Sequence, residues 1–220
     1  VLDGTNLITA SVEDGRAVLR RFDISSGSPV LTSTRDLGDL QGGDIVGLSL
    51  DGGDVVIAGS TSNGSLAVGS TTKALSGGVD AFAARIPKDL SAGGTLAYYG
   101  GTGDDRATAL SVSNGEVYVA GSAGTDLPGQ PPVGKKDGFL ARIDIATGNA
   151  DWSRRFTGKE GYATPGSLAV DATGASSLDR LGLPKGTLDF TDSQKITAAS
   201  SLRAGEQFTV RSGTGRAQTV

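Results

Sequence analysis

One segment of this 220-residue chain is written three times. Ala17-Val18-Leu19-Arg20-Arg21-Phe22-Asp23 returns as Ala81-Phe82-Ala83-Ala84-Arg85-Ile86-Pro87 and again as Gly138-Phe139-Leu140-Ala141-Arg142-Ile143-Asp144, so that Arg21, Arg85 and Arg142 share one slot, 64 and then 57 positions apart. A second block keeps step with the first. Gly47-Leu48-Ser49-Leu50-Asp51 through Val55-Val56-Ile57-Ala58-Gly59-Ser60 aligns with Ala109-Leu110-Ser111-Val112-Ser113 through Val117-Tyr118-Val119-Ala120-Gly121-Ser122, and Ser167-Leu168-Ala169-Val170-Asp171 opens a further copy. Leu7-Ile8-Thr9-Ala10-Ser11 matches Val117 to Gly121, which leads to the expectation that the chain is cut from a longer array. A period of this length points to stacked units, none of which can bury its apolar face alone.

Within the clearest copy, residues 81–86, 95–99, 108–112 and 116–120 are short apolar or alternating runs of strand length. The joints between them are residues 87–94, 100–106 and Ser113-Asn114-Gly115. Asn-Gly is a strong hairpin signal because both central residues of a type I′ turn need positive φ, and Asp51-Gly52-Gly53 is read the same way. Four strands per repeat of about 60 residues predict an all-β fold of about three propeller blades, each with four antiparallel strands.

Composition narrows the chemistry. The chain has no His and no Cys, which removes Ser-His-Asp triads, thiol nucleophiles, imidazole bases, the usual zinc sites and disulfides. What is left for metals is hard cations held by oxygen, calcium above all. The 20 basic and 24 acidic residues are interspersed, giving a net charge of −4 and no Lys/Arg stripe of the kind that releases counterions from phosphate, so no nucleic-acid partner is expected. No apolar run is long enough to span a membrane as a helix. Thirty-five Gly follow no three-residue period, which excludes a collagen triple helix and fits a turn-rich β chain.

The second copy resembles the bacterial SBBP β-propeller repeat. The carriers are Asp80-Ala81-Phe82 to Arg85, Gly100-Gly101-Thr102-Gly103-Asp104-Asp105, and Val117-Tyr118-Val119-Ala120-Gly121-Ser122, with Asp126-Leu127-Pro128 closing the copy. The third copy matches in Asp137-Gly138-Phe139 to Arg142. The resemblance covers roughly residues 15–170 and implies a fold rather than a reaction.

After Val170 the pattern breaks, and a boundary is placed there: residues 1–174 as propeller blades, 175–220 as a small β-rich segment. Leu178, Leu181 and Leu183 are read as one helical turn ended by Gly182 and Pro184, with strands expected at 195–202, 207–211 and from Ala217 onward. Ser201-Leu202-Arg203-Ala204-Gly205-Glu206-Gln207-Phe208-Thr209-Val210 is similar to a pattern in bacterial flagellin and hook-associated proteins. That similarity implies flagellin-like or hook subunits as protein partners and a location outside the cell or on its surface.

Asp104 and Asp105 are the candidate metal ligands, since glycines free the 100–105 backbone and two carboxylates suit calcium; turn capping by the same carboxylates is the competing reading. Arg21, Arg85 and Arg142 are read as strand-edge charges that bridge blades or pair with acids such as Asp144 or Asp80, and Gly59 and Gly121 as repeat-equivalent structural residues. Tyr98, Tyr99 and Trp152 are read as wedges between blades. No catalytic residue and no cofactor emerge. The functional expectation is a non-catalytic interaction module of a larger bacterial protein, with a carboxylate-dependent glycosidase or lyase and a calcium-stabilised adhesion module as alternatives.

Overall fold

The computed structural model describes residues 1–158 and 161–170 in full, and the backbone of four short strands beyond them. No helix occurs among the described residues. The first sheet is the meander β1 (Leu2–Asp3), β2 (Asn6–Glu13), β3 (Arg16–Asp23) and β4 (Val30–Asp39). The second contains β5 (Asp44–Asp51), β6 (Asp54–Thr61), β7 (Ser70–Lys73), β8 (Asp80–Pro87) and β9 (Thr95–Tyr99) in the order β5-β6-β8-β9-β7, and the third is the meander β10 (Arg106–Ser113), β11 (Glu116–Ala123), β12 (Asp137–Asp144) and β13 (Asn149–Phe156). All neighbours in these sheets pair antiparallel except β7, which runs parallel to β9 on the outer edge.

The phase of the sheets differs from that of the expected blades. The runs at 81–86 and 95–99 belong to β8 and β9 of the second sheet, whereas those at 108–112 and 116–120 are β10 and β11 of the third. The reason is local: Asn114-Gly115, with φ of 52° and 79°, closes the β10–β11 hairpin, while residues 100–105 carry the chain from one sheet to the next. Asp14-Gly15 closes β2–β3 in the same way, with φ of 49° and 79°. In the β5–β6 hairpin only Gly52 of Gly52-Gly53 has positive φ.

The three sheets stack face to face. Parity along β6 makes this visible: Val55 and Ile57 face the first sheet, packing with Ile8, Leu19, Leu37, Phe82, Ala84 and Ile86, while Val56 and Ala58 face the third with Ala81, Ala83, Val119, Phe139 and Ala141. Both faces are covered, so β6 reads as an unbroken apolar run rather than an alternating one. Each fully buried ring or aliphatic side chain contributes about 1.5–3 kcal/mol relative to exposure. Tyr98 joins the first interface and Tyr99 the second, its ring centroid 5.3 Å from that of Phe139. Trp152 packs on the far face of the third sheet, 6.1 Å from the Tyr118 ring and beside Leu168.

Leu168 belongs to β14 (Ser167–Val170), which pairs antiparallel with β15 (Ser176–Asp179) against the third sheet. Leu178 therefore lies in a strand and not in the expected helical turn, and the hairpin straddles the expected boundary at 174/175. Farther on, β16 (Leu188–Asp189) pairs parallel with β17 (Thr209–Arg211), and β17 antiparallel with β18 (Ala217–Thr219). The strand expected at 195–202, together with Leu181, Gly182, Leu183 and Pro184, lies outside the described residues.

Candidate functional site

Glycine permits the close approach of strands from which the site is built. A Cβ on Gly59 would overlap the Asp44 carbonyl oxygen and stand 2.8 Å from Phe82 Cε1; on Gly121 it would overlap the Arg106 carbonyl and stand 2.6 Å from Phe139 Cε1. Each glycine pairs across the sheet with that Phe, and each faces a register shift in the preceding strand, at Ile45/Gly47 and Ala107/Ala109. The shift brings the end of the incoming loop onto the start of the next β8-type strand.

That loop, residues 100–105, holds the two carboxylates expected to bind metal, and they diverge. Asp105 is fully buried: its Oδ2 accepts from Gly101 N at 2.7 Å, its Oδ1 from Gly124 N at 2.7 Å, and its own N–H donates to the Val79 carbonyl at 2.6 Å. Asp104 is exposed; its Oδ1 accepts from Val79 N at 3.0 Å and its Oδ2 lies 3.7 Å from Arg106 Nη2. Each carboxylate caps backbone N–H groups in a different direction. Among the described residues no group of three or more acidic side chains is placed to hold a metal ion.

Two acids outside the expected pair complete the cluster. Asp126 accepts from Thr102 N at 2.8 Å, Thr102 Oγ1 at 2.5 Å and Gly103 N at 3.0 Å, and the Thr102 hydroxyl above all holds it below the usual carboxylate range. Asp80, at the start of β8, is fully buried and accepts from Ser76 N at 2.6 Å through Oδ2, while its Oδ1 has no hydrogen-bond partner in the protein. Burial pushes its carboxyl up to about 6, with the neighbouring charges of Asp105 and Asp126 adding to the shift and Ser76 and Lys73 opposing it. The signal for Asp80 was present in the repeat, because Asp137 occupies the same place in the third copy.

At Asp137 the arrangement is repeated with one change. Val133 N donates to Asp137 Oδ2 at 2.9 Å, four residues upstream as Ser76 is from Asp80. Here, however, Arg155 of β13 closes a buried ion pair, Nε to Oδ2 at 2.5 Å, with its side chain 4% exposed. Arg155 pairs across the sheet with Phe139, the slot that Tyr98 fills opposite Phe82. The Arg155 guanidinium also donates to the Gly124 and Gln130 carbonyls, so it ties the loops after β11 to the outer strand.

The three repeat arginines stand at the opposite end of the sheets. Arg85 pairs with Asp51 and donates to the Gly115 carbonyl of the third sheet at 3.2 Å. Arg142 pairs with Glu116 at 2.7 Å and Asp151 at 3.0 Å, and although burial works against it, Tyr118, Glu116 and Asp151 hold its pKa above the ordinary value. Arg21 acts on Asp23 and on Asp89 of the following sheet by charge alone. Direct ion pairs to Asp144 or Asp80, the acids expected from sequence, are not formed among the described residues: Asp144 caps its own turn through Ala146 N and Thr147, and Asp80 lies at the other end of β8. Arg85, Glu116, Arg142, Asp144 and Asp151 line a groove of about 240 Å³ between the second and third sheets. These ion pairs tie strands together within a sheet, and the Arg85 bond to the Gly115 carbonyl crosses from the second sheet to the third.

No family model matches the chain, so the SBBP resemblance stands on the motifs quoted above. The chain is 44% identical over 239 aligned positions to the protein named Regulatory protein FlaEY of Caulobacter vibrioides, and the alignment takes in 96% of this chain. It takes in 25% of that relative, so the chain spans about a quarter of the relative's length.

Proposed function

We propose that this chain is a non-catalytic β-propeller segment of a longer bacterial protein associated with the flagellum, and that it works by presenting the loops and edges of its stacked sheets to protein partners such as flagellin-like or hook subunits. The observation that carries this reading is the 44% identity, along nearly the whole chain, to the relative named Regulatory protein FlaEY, taken together with the flagellin-like run at residues 201–210. The geometry supports it, because the described aspartates and arginines of the repeat are engaged in capping and bridging the sheets, which yields a rigid frame with recognition left to its surface. The flagellin-like run at residues 201–210 adds a location outside the cell or on its surface.

The test is affinity capture of the epitope-tagged parent protein from flagellated cells, with flagellin and hook protein quantified in the eluate. Enrichment of either over an untagged control, together with reduced swimming in a deletion strain, is the expected result. Normal motility and no flagellar protein in the eluate would overturn the reading.

A further inference from the structure

We propose that residues 130–136 and 161–163 of the third sheet form a docking platform for an acidic stretch of a partner polypeptide that also bears aliphatic side chains. The proposal rests on the reading of this chain as a protein-interaction segment and names the surface involved. The side chains are Pro131, Pro132, Val133, Lys135, Lys136 and Tyr162, and all are exposed, Val133 at 61% and Tyr162 at 52%. Backbone bonds join the two segments into one surface: Lys135 N and Lys136 N donate to the Gly161 carbonyl at 2.7 and 2.8 Å, and Ala163 N donates to the Lys136 carbonyl at 2.7 Å. Lys136 and Tyr162 pair in a parallel bridge, and the Lys135 ammonium stands 5.6 Å from the centre of the Tyr162 ring.

The construction of the sheet does not call for these side chains. Val133 N donates to Asp137 as Ser76 N does to Asp80, so the counterparts of Val133, Lys135 and Lys136 one repeat earlier are Ser76, Gly78 and the buried Val79. In that copy the stretch before Asp80 contains β7, laid along the edge of β9; residues 124–136 contribute no strand there and leave the apolar tip Pro131-Pro132-Val133 in water. The base of the loop is nevertheless pinned. Gln130 N donates to the Leu127 carbonyl at 2.9 Å, the Gln130 side chain bonds both Ser153 and the Arg155 N–H, and the buried Arg155 guanidinium donates to the Gly124 and Gln130 carbonyls. Two consecutive prolines fix two further φ angles. A loop held at its base with its tip unpacked loses little freedom when a partner covers it, which is what preorganisation contributes to binding.

Charge selects the partner. The chain carries a net −4, yet neither Lys135 nor Lys136 forms an ion pair among the described residues, whereas Arg16, Arg20, Arg85, Lys88, Arg142 and Arg155 all do. Two unneutralised ammonium groups beside aliphatic carbon suit carboxylates interleaved with aliphatic side chains, which gain from drying Val133 and the prolines. A sugar gains less here. The Val133 and proline side chains offer it no hydrogen-bonding group, and the Lys135 ammonium takes up a face of the Tyr162 ring on which it would stack.

The test is titration of the isotope-labelled 220-residue chain with a blocked heptapeptide of alternating Asp and Leu, followed through the amide resonances. Saturable shifts confined to residues 130–136 and 161–163 are expected, with none from the same peptide carrying Asn or Lys in place of Asp. Raising the ionic strength from about 0.1 M to about 1 M, which shortens the screening length from about 10 Å to about 3 Å, should weaken binding several-fold. Lys135→Ser combined with Lys136→Ser should weaken it about fivefold, and Lys88→Ser, at a cation elsewhere on the surface, should leave it unchanged. The proposal is overturned if the Asp peptide binds elsewhere or not at all, if the Asn peptide binds equally well, or if the double variant binds as tightly as the natural chain. It is overturned too if alginate, an acidic polysaccharide, shifts the same amides at lower concentration. Each of these results leaves the flagellar reading standing, because that reading falls only on the capture of flagellin and hook protein from cells.

Discussion

The Asp80 and Asp137 junctions are two solutions to one problem posed by the same repeat. Both open a buried strand with an aspartate that caps an N–H four residues upstream. At Asp137 a guanidinium from the outer strand neutralises the charge and reaches on to the loops of the neighbouring strands; at Asp80 that position is Tyr98, and a second aspartate, Asp105, enters from the connecting loop. Asp105 in turn has no acidic counterpart at the next junction, where the aligned position is the buried Ala163. The cap is thus a property of the strand, whereas the charge balance is a property of the interface, set by whichever residues the adjoining sheet supplies. One junction is neutral by composition. The other has a tyrosine where that cation would stand.

The comparison breaks most sharply at Arg155. Arg155→Met keeps the aliphatic stem but leaves Asp137 buried without a cation, and it is expected to cost about 3–5 kcal/mol in urea unfolding near neutral pH. In acid the loss should shrink, since a carboxyl buried without a cation costs less once it is neutral; a loss of equal size at every pH would mean that Arg155 contributes packing alone.

The glycines probe what the two sheets share. Gly59→Ala and Gly121→Ala each drive a methyl group into a carbonyl oxygen and a Phe ring, and each should cost about 3 kcal/mol. The two losses should match to within about 1 kcal/mol, measured side by side by chemical denaturation. A large mismatch would show that the sheets, alike in register, differ in how they yield.

The smallest expected effect is at the repeat arginines. Arg85→Met breaks an ion pair whose side chains are 29% and 17% exposed, so a loss of about 1 kcal/mol is expected, and salt should reduce the loss. A loss several times larger would promote these arginines from bridges to essential links between sheets.

How far the sequence carried the argument depends on the residue. The recurrence of Val55 to Ser60 as Val117 to Ser122, the Asn114-Gly115 turn and the recurrence of Arg21, Arg85 and Arg142 gave strands, hairpins and a repeating all-β architecture, because each is a local constraint on backbone or burial. The phase of the sheets was not legible, since a repeating string of strands can be divided at any joint, and the choice between hairpin and crossover at residues 100–105 is made by pairing with β11 and β12. The 100–105 loop was legible as a place of interest, but Asp104 and Asp105 point apart, and the other buried carboxyl of the cluster, Asp80, lies 25 positions upstream of Asp105. Only the fold brings that carboxyl in. Arg155 carried no periodic signal at all, because its slot is Tyr98 in the copy before.

The mismatch between period and sheet has a consequence for how such a protein can change length. One period, measured from Arg85 to Arg142, begins in the middle of the third strand of one sheet and ends in the middle of the third strand of the next. Excising residues 86–142 in a single recombination event would splice the first six residues of β8 to the last two of β12, and leave β5, β6, the chimeric strand and β13 as one meander, with β7 kept and its partner β9 removed. The chimeric strand would keep its register with β6 and β13, so one whole repeat can be added or removed at a crossover point inside a strand.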